Sequence, residues 1–495
     1  MSEYKEPQHA PPRNNVEQKR WGFAPSLTWR PGPNDDITLA YFFMQERNIP
    51  DFGLPYFNGK PLKVPVTRFY GLSEEDFEKT LASIATISHV HRFGPNSELR
   101  SMLRQGYYHR DIHVIAPRFP MGIVDYNEDT LLLRNRKALA GIDHKLNGLS
   151  QYTGRFATGP LEHEVLGGVE YAWELSKRWS NVSRFVVPLA TVGNVDSTPA
   201  MPAGYGSSFY RADLSRYSGK TVGVYAQDTI QLLPDLKLML GTRYDHLRAT
   251  LDQTWLEDDL NRRDNMWSYR GGLLYQPNDF STYYASYSTS YNPSAELFQL
   301  DQRSATGVNI NDPLLADADP ERSQNIEVGG KWDLLQGNLS LRTAVFRSQK
   351  TNERYVDATQ LTAQILSGKR HTDGIELETA GRITKNWQVF SSMALMSSEI
   401  DEAHGILADT EGNRGYNTPN YAYNVWSTYS FNFLRGKWTL GAGIDGIGTR
   451  YANAENTVKI PPFNRMDAMI EYEFKNYALR LNVLNVTNEK VYEGI

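Results

Sequence analysis

The sequence predicts an all-β fold, a transmembrane barrel of antiparallel strands of the outer-membrane type, from three observations. Polar and apolar residues alternate through long runs, as in "TVGVYAQDTIQLL" from Thr221 to Leu233. Short turn sequences alternate along the chain with long polar connections. No apolar run reaches the roughly 18 residues that a transmembrane helix needs. Half-apolar strands joined in this way are typical of barrels whose outer face meets lipid.

The strands are predicted to form hairpins. Between Thr221 and Leu247, two alternating runs flank a Leu-Pro-Asp break, with Val222 and Val224 on one face and Thr221 and Tyr225 on the other. Segments from Trp21–Glu46 onwards repeat this device up to the end of the chain. The pattern predicts roughly nine hairpins, or about 18 strands of about 10 to 13 residues, where about 9 to 11 suffice to cross a bilayer.

The connections are predicted to be asymmetric. Turns within hairpins are short, whereas the connections between hairpins are long and polar: Asn48 to Leu81, Ile112 to Leu146, Ser176 to Ser218 and Asn292 to Glu321. Outer-membrane barrels have short periplasmic turns and longer extracellular loops. Aromatic residues also gather near predicted strand ends, where interfacial girdles form. A soluble propeller or sandwich would have shorter strands and no such asymmetry.

One helix is expected within the first long connection. In "LSEEDFEKTLASIA", Ser73 is a candidate N-cap with Asp76 at the capping-box position. Phe77, Leu81 and Ile84 would share one face of that helix.

Composition limits the possible partners and chemistry. The 495 residues carry a formal net charge of −5 and include no cysteine. A disulfide framework and thiolate metal sites are therefore excluded, and no basic surface suggests nucleic acid as a partner. The first residues, "MSEYKEPQHAPPRNN", lack the apolar segment of a signal peptide.

Several segments, in order and in spacing, resemble one family. They include "GRFATGPLEHEVLGGVEY", "VGVYAQDTIQLLPDLKLMLGTRYDH", "NIEVGGKWDLLQGNLSLRTAVFRSQKTNER" and "RMDAMIEYEFKNYALRLNVLNVTNEKVY". Together they resemble the barrel of TonB-dependent siderophore receptors over essentially the whole chain. "RNNVEQKRWGFAPSLTWRPG" and "IPDFGLPYFNGKP" are most similar to the catecholate siderophore branch.

The resemblance implies a barrel of about 22 strands with a plugged lumen. Residues 1–495 are expected to form this barrel domain in part, with the N-terminal plug, about three early strands and the closing strand missing. Trp21–Arg30 and Tyr477–Val486 would then be open edges, so the chain alone is expected neither to insert nor to fold stably. An excerpt of a receptor and a non-functional fragment of a receptor gene are both consistent with this expectation.

The function implied by the resemblance is energised uptake of a ferric siderophore across the outer membrane by a monomeric multi-pass receptor. TonB would act through the missing N-terminal segment, and iron would be present only within the transported ligand, with no cofactor. No Gly-x-Ser-x-Gly, His-Glu-x-x-His or phosphate-binding Gly loop indicates an enzyme. A passive porin and a barrel enzyme are the alternatives, and sequence upstream of Met1 would discriminate between them.

Ligand contacts are expected in the long loops. Catecholate complexes are anionic and aromatic, which favours arginine and aromatic side chains as contacts. The candidates are Phe52, Tyr56, Phe57, Tyr70, Arg184, Tyr205, Phe209, Tyr210, Arg414 and Tyr416. The alternative role for each is packing of loops or membership of an aromatic girdle.

Histidines at short spacing raise the question of a metal site. "HVH" contains His89 and His91, and "HRDIH" contains His109, Asp111 and His113. A metal could bridge such imidazoles. Polar positions in a barrel wall or interface explain them more simply, so the sequence predicts no metal site.

Overall fold

The computed structural model describes residues 15–58, 60–65, 67–183, 187–201, 209–253, 259–293, 319–356 and 365–492. Its strands are β1 (Glu17–Phe23), β2 (Ser26–Gly32), β3 (Asp35–Ile49), β4 (Tyr56–Phe57), β5 (Lys60–Pro61), β6 (Phe77–Gly94), β7 (Ser97–Arg118), β8 (Leu131–Thr158), β9 (Leu161–Val182), β10 (Ala190–Thr191), β11 (Tyr210–Leu233), β12 (Leu236–Gln253), β13 (Leu260–Asn278), β14 (Ser281–Asn292), β15 (Glu321–Leu334), β16 (Leu339–Val356), β17 (Ile365–Arg382), β18 (Trp387–Glu402), β19 (Tyr421–Phe433), β20 (Gly436–Ile447), β21 (Arg450–Tyr451), β22 (Lys459–Ile460), β23 (Phe463–Phe474) and β24 (Tyr477–Val483). A 3₁₀ helix spans Gly405–Thr410. Over these residues, no helix is both long enough and apolar enough to cross a membrane.

Twenty of the strands form one antiparallel sheet in which each long strand pairs with its neighbours in the chain. β1 and β2 are two halves of one strand, because both pair with β3. β10 adds only two residues to the edge of β8. With β1 and β2 counted as one strand and β10 left out, the described part of the sheet has eighteen strands in nine hairpins. The predicted all-β fold and strand number are confirmed.

The strands are longer than predicted. β8 has 28 residues, β11 has 24, and β7 and β9 have 22 each. About 9 to 11 residues cross a bilayer, so these strands extend well beyond it at the loop end. Polar sequence that the pattern assigned to loops is strand here, because each extended strand finds an equally long neighbour to complete its backbone hydrogen bonds.

The predicted helix at residues 72–85 is wrong. Phe77–Gly94 forms β6, whose residues pair with β3 on one side and β7 on the other. Two ladders of long-range hydrogen bonds outweigh a weak local helix preference. Asp76 still accepts a backbone hydrogen bond, from the Leu72 amide at 3.0 Å, but the turn it stabilises leads into a strand.

The two ends of the sheet differ as the sequence predicts. Nine short turns join the hairpins at one end, for example Pro33–Asn34 between β2 and β3 and Gly159–Pro160 between β8 and β9. Gly159 has a φ of +61°, a conformation that glycine adopts at little cost. The longer connections, such as residues 183–209 and 403–420, all leave from the other end. The short turns therefore mark the periplasmic end and the loops the extracellular end.

One face of the sheet is apolar and exposed. Val222 and Val224 are 46% and 49% exposed in β11. Val224 lies opposite Tyr244 of β12, which in turn lies opposite Trp267 of β13. Directly opposed residues point to the same side, so these side chains form a continuous surface for lipid.

The other face is charged, and its charges form ion pairs both within strands and between strands. Arg243 of β12 contacts Glu170 of β9 at 2.6 Å and Asp245 at 2.7 Å. Similar cross-strand pairs recur along the same face: Arg110–Glu78, Lys145–Glu174, Arg178–Asp143, Arg465–Asp445 and Arg480–Glu471. This face is the wall of the lumen.

The sheet has two free edges. Within the described ranges, no backbone ladder joins β24 to β1 or β2, so the barrel is not closed. β1 and β24 are exposed along their whole length. These edges lie where the sequence predicts them, at Trp21–Arg30 and Tyr477–Val486.

Candidate functional site at the extracellular end

Three connections pack together at the extracellular end. Leu62 and Tyr70 from the β3–β6 connection share a buried cluster with Leu132, Ala190 and Val192. Phe57 packs against this cluster, with ring contacts to Phe119 at 5.2 Å and Tyr126 at 5.1 Å. We call this assembly of the β3–β6, β7–β8 and β9–β11 connections the loop cap. Its apolar core gives the extracellular loops a stable arrangement of their own.

Tyr70 is a packing residue of the loop cap. It is 1% exposed, and its hydroxyl donates to the carbonyl oxygen of Val192 at 3.0 Å. The guanidinium of Arg68 donates to the same carbonyl at 2.5 Å. A buried carbonyl with two donors fixes the β9–β11 connection against the β3–β6 connection.

Asp76 lies beneath the loop cap. Its Oδ2 accepts hydrogen bonds from the amides of Leu72 and Ile115, at 3.0 and 3.4 Å. Burial raises the pKa of Asp76 to about 6, although these two amides and the nearby guanidinium groups of Arg136 and Arg134 act in the opposite direction. The carboxyl is thus a titratable group inside the fold, and its protonation changes at mildly acidic pH.

A second part of the site lies on the lumen wall, just below the loops. Lys350 of β16 lies opposite Arg370 of β17, and both line a recess of about 230 Å³ with serine, threonine and amide side chains. Glu353 accepts from Arg370 at 2.7 Å, and Glu321 contacts Lys350 at 3.0 Å. The two carboxylates are 3% and 8% exposed, whereas Arg370 and Lys350 are 21% and 32% exposed. The basic groups therefore face the recess and the acidic groups lie behind them.

An aromatic ring extends this basic wall. The guanidinium of Arg370 lies 5.5 Å from the ring centroid of Tyr416, a cation–π distance. Tyr416 is 40% exposed, so its other face is open. Arg414 is held nearby, because its amide donates to Asn456 and its carbonyl accepts from the Asn456 side chain. We call Lys350, Arg370, Arg414 and Tyr416 the upper wall.

The ten candidate contacts fall into distinct environments. Arg184 and Tyr205 lie outside the described residues, and Tyr56 lies in the short strand β4 of the loop cap. Phe52 belongs to the same connection and is exposed, whereas Phe57 and Tyr70 are packed within the loop cap. The structure thus brings Phe57 together with Tyr70, and Arg414 together with Tyr416.

Phe209 and Tyr210 lie at the start of β11. The ring of Phe209 lies tilted against that of His113, with 5.1 Å between centroids, and the guanidinium of Arg136 lies 4.9 Å from the Phe209 ring. Tyr210 is exposed and lies opposite Val182, in register with the charged positions of β9 such as Arg178. Tyr210 therefore belongs to the lumen side, at its extracellular rim.

Sequence reasoning missed Lys350 and Arg370. They occur in strands, in "SQKTNER" and "GKRHTDG", and the search for contacts considered only loops. Alternation could have assigned both to the polar face. Their own proximity depends on the register of β16 with β17, and the contact of Arg370 with Tyr416 depends on the path of the 403–420 connection, neither of which the local pattern shows.

Eighteen long strands, an apolar outer face, a charged lumen and a packed extracellular cap define a large outer-membrane β-barrel. A family model described as "TonB dependent receptor-like, beta-barrel" matches residues 22–486. The chain belongs to this family and is an outer-membrane protein.

Curated relatives match along nearly the whole chain. The probable TonB-dependent siderophore receptor PiuA of Acinetobacter baumannii is 28% identical over 97% of this chain and 67% of the relative. The catecholate siderophore receptor Fiu of Escherichia coli K12 is 26% identical, with the same two shares covered. The chain therefore spans about two thirds of the length of these relatives.

Solved structures agree on the fold. The crystal structure of PiuA from A. baumannii superposes with a TM-score of 0.82 at 23% identity, covering 97% of this chain and 72% of that one. The closed form of Fiu from E. coli K12 gives the same four values. These similarities confirm the barrel architecture.

Proposed function

We propose that this chain is the barrel of a receptor for a ferric siderophore of the catecholate type, with uptake energised by TonB. The observation that carries the proposal is the upper wall, where Arg370 and Lys350 face the lumen beside the open ring of Tyr416. The name of Fiu supports the catecholate class, and the name of PiuA supports a siderophore as the ligand.

The chemistry of the upper wall suits an anionic aromatic ligand. A guanidinium or ammonium group compensates the charge of a catecholate complex, and a tyrosine ring offers a stacking surface for its catechol rings. Glu353 and Glu321 hold the two basic groups in place from behind. Because iron is already coordinated by the siderophore, the barrel needs no metal ligands and no cofactor to bind it.

The contacts that we propose are Phe52, Tyr210, Arg414 and Tyr416 from the loops, with Arg370 and Lys350 added from the wall. Phe57 and Tyr70 then act indirectly, through the loop cap that holds these loops in place. TonB is proposed as the partner that supplies energy through an N-terminal segment. The receptor is proposed to act as a monomer and to have no enzymatic activity.

A competition experiment tests the ligand class. Because its open edges are expected to destabilise the chain, it would first be refolded in detergent and checked for the heat-modifiable migration of a folded barrel. It would then be titrated with a ferric catecholate and with a ferric hydroxamate while its tryptophan fluorescence is followed. We expect saturable quenching by the catecholate that excess hydroxamate does not reverse. Equal competition by the two complexes would contradict the catecholate assignment, and an absence of saturable quenching by either would contradict the receptor function.

A further inference from the structure

A compact set of metal-binding groups lies at the opposite, periplasmic end of the barrel. Asp35 begins β3 directly after the Pro33–Asn34 turn, and His91 of β6 lies opposite it. His89 lies two residues along the same strand, so both imidazoles point to one side of β6. The sequence shows the two histidines at this spacing, and the fold adds a carboxylate from the next strand.

The three ligand atoms converge. Oδ1 of Asp35 lies 2.8 Å from Nε2 of His89 and 2.8 Å from Nδ1 of His91. All three atoms lie within 4.8 Å of one another. Bonds of about 2.0–2.2 Å from nitrogen and carboxylate oxygen to one zinc ion place such atoms roughly 3 to 3.5 Å apart. Small rotations of the side chains therefore suffice for all three to bind one ion.

The charge of Asp35 is available to a cation. Its neighbour Asp36 points to the other face and pairs with Arg30 at 2.7 Å and Arg92 at 2.6 Å. Among the residues with described positions, the ion-pair partners of Asp35 are the two imidazoles alone. A neutral imidazole can present its unprotonated nitrogen to a metal, so a cation could replace both hydrogen bonds.

The surroundings leave the set accessible and hold it in place. His89, His91 and Asp35 have side chains 44%, 34% and 28% exposed. The ring of Phe93 packs edge-on against His91 at 4.6 Å, which restricts the orientation of that imidazole. The site thus keeps positions open for water or another ligand.

We propose that Asp35, His89 and His91 form a binding site for a divalent transition-metal ion, with Zn²⁺ as the ion to test first. Two imidazoles and one carboxylate are a donor set that Zn²⁺ accepts, and the same set binds Co²⁺ less tightly with a visible spectrum. The site lies on the lipid-facing side at the periplasmic rim, on the same face as Ile37 and Ile87. It is separate from the upper wall and independent of the siderophore ligand.

Metal binding to the full chain in detergent tests the proposal. After removal of metal with a chelator, Zn²⁺ would be titrated against a competing chromophoric chelator, and Co²⁺ absorption would report the donor set. We expect one ion per chain. D35A should weaken binding by at least about tenfold, because loss of a residue that only supports a metal ligand already costs about that much. D35N, which keeps the shape of the side chain, should also weaken binding, and H89Q/H91Q should abolish it.

The matched control is H109Q/H113Q, which removes two imidazoles from the adjacent strand β7. Those residues lie four positions apart, or roughly 13 Å along a strand, too far to share one ion. Affinity in this variant should stay within twofold of the wild type. Wild-type affinity in D35A, or an equal loss in the control, would overturn the proposal, because binding would then not depend on the converging set.

Discussion

The hydroxyl of Tyr70 donates a hydrogen bond to the carbonyl oxygen of Val192 across 3.0 Å, and so joins two extracellular connections that are 122 residues apart in the chain. The guanidinium of Arg68 donates to the same carbonyl oxygen. The loop cap is therefore a folded unit with a polar tie at its centre.

We expect Tyr70→Phe to loosen the loop cap without unfolding the barrel. Loss of a buried hydrogen bond typically costs about 0.5–1.5 kcal/mol, and the aromatic packing would remain. The rate of limited proteolysis in the β9–β11 connection should rise several-fold. Tyr429→Phe, at an exposed position on β19, is the control. Equal proteolysis of wild type and Y70F would show that the hydrogen bond does not hold the cap.

Asp76 should make the loop cap more stable in acid. Its pKa is raised to about 6 in the folded chain, so between pH 4 and 6 the folded cap binds a proton that the opened chain releases. The free energy of opening therefore falls as pH rises through this window and levels off above it. Within this window the free energy of opening changes by up to about 1.4 kcal/mol for each pH unit, because one proton is involved. Hydrogen exchange at the Ile115 amide, corrected for its intrinsic rate, measures the effect.

Asp76→Asn is the control for that pH dependence. The amide keeps an acceptor oxygen for the Leu72 and Ile115 amides but does not titrate. Protection at Ile115 should then be nearly constant from pH 4.5 to 7.5. If D76N retains the wild-type slope, another group is responsible.

Val224→Arg should impair insertion of the barrel. Val224 lies on the lipid-facing side of β11, and arginine on that face near the middle of the bilayer costs about 2–4 kcal/mol. Thr229→Arg places the same side chain on the lumen side of the same strand and should be tolerated. Heat-modifiable migration after refolding into lipid vesicles distinguishes them. Similar yields for both variants would contradict the assignment of faces.

Arg370→Ala and Tyr416→Ala should each weaken binding of a ferric catecholate by about tenfold, because a charge-assisted contact or a stacked cation is worth roughly 1–3 kcal/mol. The control is Arg347→Ala, which removes a guanidinium paired with Asp373 on the outer face of the same pair of strands, β16 and β17. R347A should bind like wild type. A loss in R347A as large as in R370A would indicate a general defect of these two strands.

Much of the fold is readable from local pattern. Alternation in Thr221–Leu233 predicts both the strand and its faces, because a strand repeats every two residues and each face meets one solvent. The prediction of a helix at residues 72–85 is wrong because the pairing of this segment with β3 and β7 is not visible in a local window of sequence. The predicted strand lengths are too short for the same reason.

The sites are less readable because they depend on register. Asp35 and His91 are 56 residues apart, and only the pairing of β3 with β6 makes them neighbours. Tyr70 and Tyr416 are both loop tyrosines in the sequence, yet one is buried and the other is exposed. Burial of a loop residue depends on partners from other connections, which composition does not reveal.

The charges of the lumen wall have partners within the wall itself. Because Arg243 already has Glu170 and Asp245, and Arg178 has Asp143, the wall keeps its counter-ions whether the lumen is filled or empty. These side chains are partly exposed, so water reaches the pairs and screens them. Anything that passes along this part of the wall therefore meets charges that already have their counter-ions and need none from the passing molecule.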